Sequence, residues 1–157
     1  MVSARYRDAL ASDQGAYLAG GRYNAPETFG ALYLGESPET CRAELARQGR
    51  PARARFVLGA FRVTLSKVCD LTDPAVLRAL GVARDDLVRD DWTMTQALGA
   101  LIREAGFEAA LVPSVAGPHV NLVIFADRLG GESEVRVEHI QDAEPGGSER
   151  SREEPKD

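Results

Sequence analysis

In the stretch LAGGRYNAPETFGALYLGESPETCRAEL (residues 18–45), three side chains suited to chemistry stand close together: Arg22, Tyr33 and Glu44. Gly20 and Gly21 make a turn where backbone can approach a ligand closely. An arginine directly after such a turn suits a phosphate, which its planar fork grips through parallel hydrogen bonds. The same three residues also suit a hairpin turn followed by a surface arginine. Glu44 lies three residues after Cys41 and next to Leu45, at the edge of the inward face of a helix. A carboxylate drawn toward the interior has to find a partner; a surface pair with Arg42 or Arg47 is the alternative. Tyr33, the sole aromatic of its short strand, reads as a core ring with its hydroxyl at the rim. Ser114 in VPSVAGPHVN follows a strand and a proline, which places it in a loop at a sheet end or in a plain turn. Asn121, before LVIF, can both donate and accept at the start of a strand, or merely close the loop.

Several chemistries are disfavoured. The glycine turn is not a G-x-G-x-x-G fingerprint, so a redox dinucleotide fold is not indicated. There is no G-x-S-x-G elbow, and neither His119 nor His139 has a triad spacing. Cys41 and Cys69 are far apart with no Cys/His spacing for zinc, so reduced thiols and no metal site are expected. Trp92 and Gln96, at the start of a helix, read as packing and capping residues. A net charge of −5, from 19 basic and 24 acidic residues, gives no reason to expect direct contact with nucleic acid. No basic-then-apolar leader opens the sequence and no apolar run is long enough to cross a bilayer, so a soluble, cytoplasmic protein without membrane contact is expected.

The elements that must position these residues alternate in type. A length of 157 residues, 44% hydrophobic and 27% charged, fits one domain with a substantial core. ALYLG (31–35) is a short strand, and SPETCRAELARQG (37–49) a helix with Ser37 as N-cap, Pro38 in its first position and Gly49 past its end. ARFVLGAFRVTL (54–65) is a long strand with a bulge expected at Gly59. TDPAVLRALG (72–81) is a short capped helix. DDWTMTQALGALIREAG (90–106) holds the clearest helix, with Met94, Ala97, Leu98, Leu101, Ile102 and Ala105 on the helical period and Gly106 at the end. EAALVPS (108–114), NLVIFA (121–126) and EVRVEHI (134–140) are strands. The expected class is α+β, a single mixed domain over 1–142 with strands crowded at both ends around central helices. Residues 143–157, AEPGGSERSREEPKD, lack apolar anchors and read as a disordered tail.

Taken in order, GGRYN (20–24), YLGES (33–37) with Glu44, GFEAALVPS (106–114) and NLVIF (121–125) resemble the RES-domain family, named for an Arg, a Glu and a Ser. DLTDPAVLRALGV and DDWTMTQALG resemble its central segments, and the similarity runs from about Arg5 to about Ile140. The resemblance implies a fold like that of ADP-ribosyltransferases and the activity of a toxin from a toxin–antitoxin pair. Such toxins use NAD as a substrate, not as a cofactor, and break its nicotinamide–ribose bond by hydrolysis or phosphorolysis. A Xre-type DNA-binding antitoxin would neutralise the enzyme. By motif, Arg22 would grip a phosphate of NAD, Tyr33 would pack by the nicotinamide ribose and Glu44 would stabilise the cationic sugar. Ser114 and Asn121 would orient the ligand. The family pattern also implies an arginine on the first strand, upstream of the glycine turn; here Arg5 and Arg7 are its substitutes.

The implied chemistry fits those residue types. Cleavage passes through an oxocarbenium-like state, which a fixed carboxylate stabilises more than it stabilises the ground state. Nicotinamide leaves neutral from a cationic pyridinium, so no second acid is required. Two alternatives are a protein ADP-ribosyltransferase using the same site and a catalytically weak binding module acting through its partner.

Overall fold

The computed structural model describes residues 1–48 and 55–143. In chain order its strands and α-helices are β1 (Val2–Ser3), α1 (Gln14–Ala19), β2 (Leu32–Gly35), α2 (Pro38–Arg47), β3 (Phe56–Thr64), β4 (Val68–Asp70), α3 (Pro74–Leu80), α4 (Thr93–Glu104), β5 (Ala109–Pro113), β6 (Val120–Ile124) and β7 (Glu134–Ala143). Segments of 3-10 helix cover Ala4–Ala9, which is kinked at Tyr6, and Arg84–Val88 and Ala126–Arg128. The strands form two sheets, one ordered β1-β3-β7 and the other β2-β6-β5-β4. All pairings are antiparallel except β4 with β5, which are joined by the crossover through α3 and α4. This is the mixed α+β domain that the sequence implies. No helix among the described residues is long and apolar enough to cross a membrane.

Local signals set the helix ends. Ser37 Oγ accepts from Thr40 N at 3.1 Å with Pro38 in the first helical position, so α2 begins where its orphan donors are satisfied. Asp73 caps α3 through Ala75 N at 2.7 Å, and Gly81 ends it in the left-handed region at φ 68°. Thr95, Leu98, Gly99 and Ile102 form the buried face of α4. Leu98 and Ile102 pack with Leu71, Leu87, Val112, Val123 and Phe125 into the main core, where each fully buried apolar side chain contributes about 1.5–3 kcal/mol. The inward stripe is therefore centred on 95, 98, 99 and 102, and Leu101, expected on it, is 57% exposed. Leu101 lies more than a quarter turn round the helix from the centre of that face, and Gly99 falls on the face where the Tyr23 backbone approaches too closely for a side chain.

Other differences from the sequence reading have similar causes. The irregularity of β3 falls between Ala60 and Phe61 rather than at Gly59, and the extra residue, Glu138, is on β7. β4, not expected from the sequence, adds a strand in the middle of the chain next to the expected β3. β1, β4 and α1 are too short to display a period of their own; β1 is defined by its pairing with β3 and β4 by its pairing with β5. β6 stops at Ile124, and Phe125 turns into a 3-10 segment. Ala143, placed in the tail by sequence, is the last residue of β7; the rest of the expected tail, 144–157, and the expected helix end at Gly49 lie outside the described residues.

Candidate active site

A cleft of about 690 Å³ opens between the glycine turn, β2, α2 and the segment leading into α4. That volume is in the range of small-molecule and cofactor sites. Arg22, Tyr33, Glu44 and Asn121 all line it.

Glu44 is one helical turn past Cys41 on α2 and half-buried. Its Oε1 accepts from Ser114 Oγ at 2.5 Å and from Asn121 Nδ2 at 2.8 Å. Arg42 and Arg47 pair elsewhere, with Glu39 and Asp90. Among the described residues Oε2 accepts no hydrogen bond, so one oxygen is clamped and the other is open to a ligand. Ser114, immediately after β5, is 5% exposed and is behind Glu44 rather than on the cleft wall. Its Oγ also accepts from Ala116 N at 3.0 Å, which aims its proton at the carboxylate. Asn121 is on β6, opposite Gly35 of β2 and Val112 of β5, so three strands fix the amide that faces Glu44.

Tyr33 is oriented opposite to the sequence expectation. Its hydroxyl points inward, donating to Asn24 Oδ1 at 2.8 Å and accepting from Tyr23 N at 2.9 Å, while the ring remains 36% exposed along the cleft. Loss of water around that hydroxyl raises its pKa well above the ordinary tyrosine value, and the phenol stays neutral. Asn24, fully buried, completes the turn by donating to Ala16 O at 2.8 Å and Phe29 O at 3.0 Å. A Cβ on Gly21 would lie 2.5 Å from the Tyr33 hydroxyl, so this glycine is required by close approach.

Arg22 is neither free nor a plain surface residue. Its Nη1 donates to the carbonyls of Leu87, at 3.3 Å, and Arg89, and its guanidinium is 5.5 Å from the centroid of the Trp92 ring. Burial is the main cause that lowers its pKa from the ordinary value, yet a guanidinium stays charged at neutral pH. Arg5 is stacked over the Tyr6 ring at 4.7 Å and is not on the cleft wall, although Tyr6 is. Arg7 pairs with Asp142. His119 hydrogen-bonds Glu36 at 3.1 Å, away from Glu44, and no His/Cys/Asp/Glu cluster among the described residues could hold a metal.

The sequence reading missed the residues that carry the turn. Gln96 Nε2 donates to Gly21 O at 3.0 Å, so it braces the loop next to Arg22 instead of capping its helix. Trp92, 41% exposed, lies against Arg22. Gly99 lets the α4 backbone touch Tyr23. A glycine in the middle of the clearest helix was the available signal, because it lowers helix stability unless something needs the space.

The RES domain family model matches residues 2–144. NAD(+) phosphorylase MbcT of Mycobacterium tuberculosis (strain ATCC 25618 / H37Rv) is 37% identical over 129 residues, covering 77% of this chain and 68% of that protein. The probable NAD(+) phosphorylase Rv3189 of the same strain is 37% identical over 115 residues, covering 69% of this chain and 55% of that protein. A chain in the crystal structure of the M. tuberculosis MbcT–MbcA toxin–antitoxin complex superposes with a TM-score of 0.75 at 30% identity, over 85% of this chain and 76% of that one. The chain belongs to the RES domain family.

Proposed function

We propose that this chain is the toxin of a toxin–antitoxin pair, and that it consumes NAD by cleaving the nicotinamide–ribose bond. The observation that carries the reading is the Glu44 carboxylate, clamped on one oxygen by Ser114 and Asn121 with the other open to the cleft. A pre-oriented carboxylate stabilises the developing sugar cation without reorganising at the moment of reaction. The bond from C1′ to the pyridinium nitrogen breaks, and its electron pair leaves with neutral nicotinamide. An acceptor oxygen then forms the new bond to C1′. Tyr33 offers a neutral ring face next to the ribose, and Arg22 offers a charged fork for the diphosphate. NAD is the substrate and no separate cofactor enters. All of these residues lie within 1–142, the portion we assign as the catalytic domain.

The partner is a Xre-type antitoxin acting in the cytoplasm, whose acidic end would pair with Arg22 in the place of a phosphate. Its own helix-turn-helix would supply the DNA contact.

Incubation of the purified protein with NAD, with and without inorganic phosphate, and identification of the products by mass tests the reading. Nicotinamide release with ADP-ribose or its phosphorylated form is expected. Modified protein would indicate ADP-ribosyl transfer, and intact NAD would indicate a binding module.

A further inference from the structure

Arg47 is one helical turn after Glu44 on α2, and both line the cleft. Residues three apart on a helix share a face, with Cβ atoms about 5–6 Å apart. Arg47 Nη2 is 2.8 Å from Asp90 Oδ1, yet the Asp90 side chain is 91% exposed and that of Arg47 47%. A pair this exposed contributes little, so Arg47 can exchange one anion for another. Asp90, which also lines the cleft, is next to Arg89, whose carbonyl holds Arg22. The two arginines therefore meet at one end of the site, and the charge on Arg47 adds to burial in lowering the Arg22 pKa, against the opposing effects of Tyr23, Glu44 and Asp90.

The two cations have different freedom. Arg22 is committed to two carbonyls and an aromatic ring. Arg47 is held by a solvated carboxylate alone among the described residues. Its place in the last turn of α2 puts it at the negative end of the helix dipole, where an anion would not settle without a cation to receive it.

We infer that Arg47 binds the acceptor of the reaction, an inorganic phosphate dianion, beside the sugar carbon that Glu44 faces, and that Asp90 gives way to it. The inference rests on the NAD-cleaving reading above. In the step, the C1′–N bond breaks with its pair on nicotinamide and a phosphate oxygen bonds C1′. A cationic nucleotide and hydrogen phosphate become neutral nicotinamide and the singly protonated 1-phosphate ester of ADP-ribose, with no oxidant or reductant. By screening one phosphate charge, Arg47 lets the dianion approach Glu44.

The test uses Arg47→Gln and Asp90→Asn in the full chain, with KM measured separately for phosphate and for NAD. Arg47→Gln is expected to raise the phosphate KM roughly tenfold or more, as for loss of a charge-assisted bond. The NAD KM should stay within about twofold, and the products should shift from phosphorylated ADP-ribose toward ADP-ribose. Asp90→Asn should lower the phosphate KM by freeing Arg47. A rise in NAD KM with phosphate KM unmoved would place Arg47 on the dinucleotide and overturn the inference, as would an unchanged product ratio or a parent indifferent to phosphate. Should the parent leave NAD intact, the functional reading has failed on its own. Calorimetric titration with inorganic phosphate then decides the inference, which stands if the parent binds more tightly than Arg47→Gln and falls if the two are alike.

Discussion

Ser114 donates its hydroxyl proton to Glu44 across 70 positions of sequence, at 2.5 Å, and shares that carboxylate oxygen with Asn121. Glu44 is thus held from the end of β5 and from β6 rather than by its own helix. Ser114→Ala removes one of two clamps and leaves the charge, so turnover should fall roughly tenfold, the scale of one hydrogen bond to an ionised group. Glu44→Gln removes the charge itself, and turnover should fall by roughly two to three powers of ten while NAD affinity changes far less. Single-turnover kinetics and NAD titrations on both variants check the order. A serine variant as damaged as the glutamine variant would make Ser114 a direct participant.

A second close approach sets the other wall. A Cβ on Gly99 would stand 1.9 Å from the Tyr23 carbonyl oxygen, a backbone atom that cannot rotate away. Gly99→Ala gains about 1 kcal/mol of helix propensity but forces α4 and the glycine turn apart, and overpacking of this kind costs about 1–3 kcal/mol. The expected result is a lower urea midpoint together with weaker NAD binding, because Arg22 and the Gln96 brace move with the turn. Unchanged stability would show that the helix shifts freely.

These two contacts also mark how far the sequence could be read. Ser37, Pro38, Asp73 and Gly106 announce helix ends through local chemistry, and β5 and β6 announce themselves as apolar runs, so most elements were legible. Arg22, Tyr33 and Glu44 stood out by type and spacing. The direction of the Tyr33 hydroxyl, the carbonyls that receive Arg22, and the roles of Gln96, Trp92 and Gly99 were not legible. The Tyr33 hydroxyl is set by partners inside the glycine turn, and the others depend on α4 and the segment before it meeting that turn from about 65 to 75 positions away, a distance no local period encodes. Arg47 was seen as a possible partner of Glu44 because both are on one helix; its pairing with Asp90 is a tertiary fact.

Arg22→Lys separates gripping from bracing. Arg22 Nη1 serves the carbonyls of Leu87 and Arg89, and its other nitrogens make no hydrogen bond among the described residues. A lysine ammonium can satisfy a carbonyl or a phosphate but cannot present a fork to both. NAD affinity by calorimetry should drop about tenfold, on the scale of one charge-assisted hydrogen bond, and nicotinamide mononucleotide should lose less if the contact is to the adenosine-side phosphate. Equal NAD binding by parent and variant would leave Arg22 a brace for the loop before α4.

Glu108, at the entrance to β5 and only 4% exposed, gives the fold a defined acid sensitivity. Its Oε1 accepts from Ser133 Oγ and Gly130 N, both at 2.7 Å, and its Oε2 from Ser66 N at 2.7 Å and Lys67 N at 3.2 Å. Four donors favour the ionised form, the Ser133 hydroxyl and the Gly130 amide most, and hold the pKa at about 2, below the ordinary 4.5. A folded-state pKa depressed in this way contributes stability that is fully present above about 4.5 and is lost as pH falls toward 2. Glu108→Gln removes the charge and sets an amide N–H against one pair of donors, so its urea midpoint should be lower at pH 7. The parent should lose its advantage between pH 4.5 and 2, because protonation then does to Glu108 part of what the substitution did. Other carboxylates titrate equally in both proteins and cancel in the difference. A gap between the two midpoints that stays constant across that window would show that Glu108 does not hold its proton affinity through these four donors.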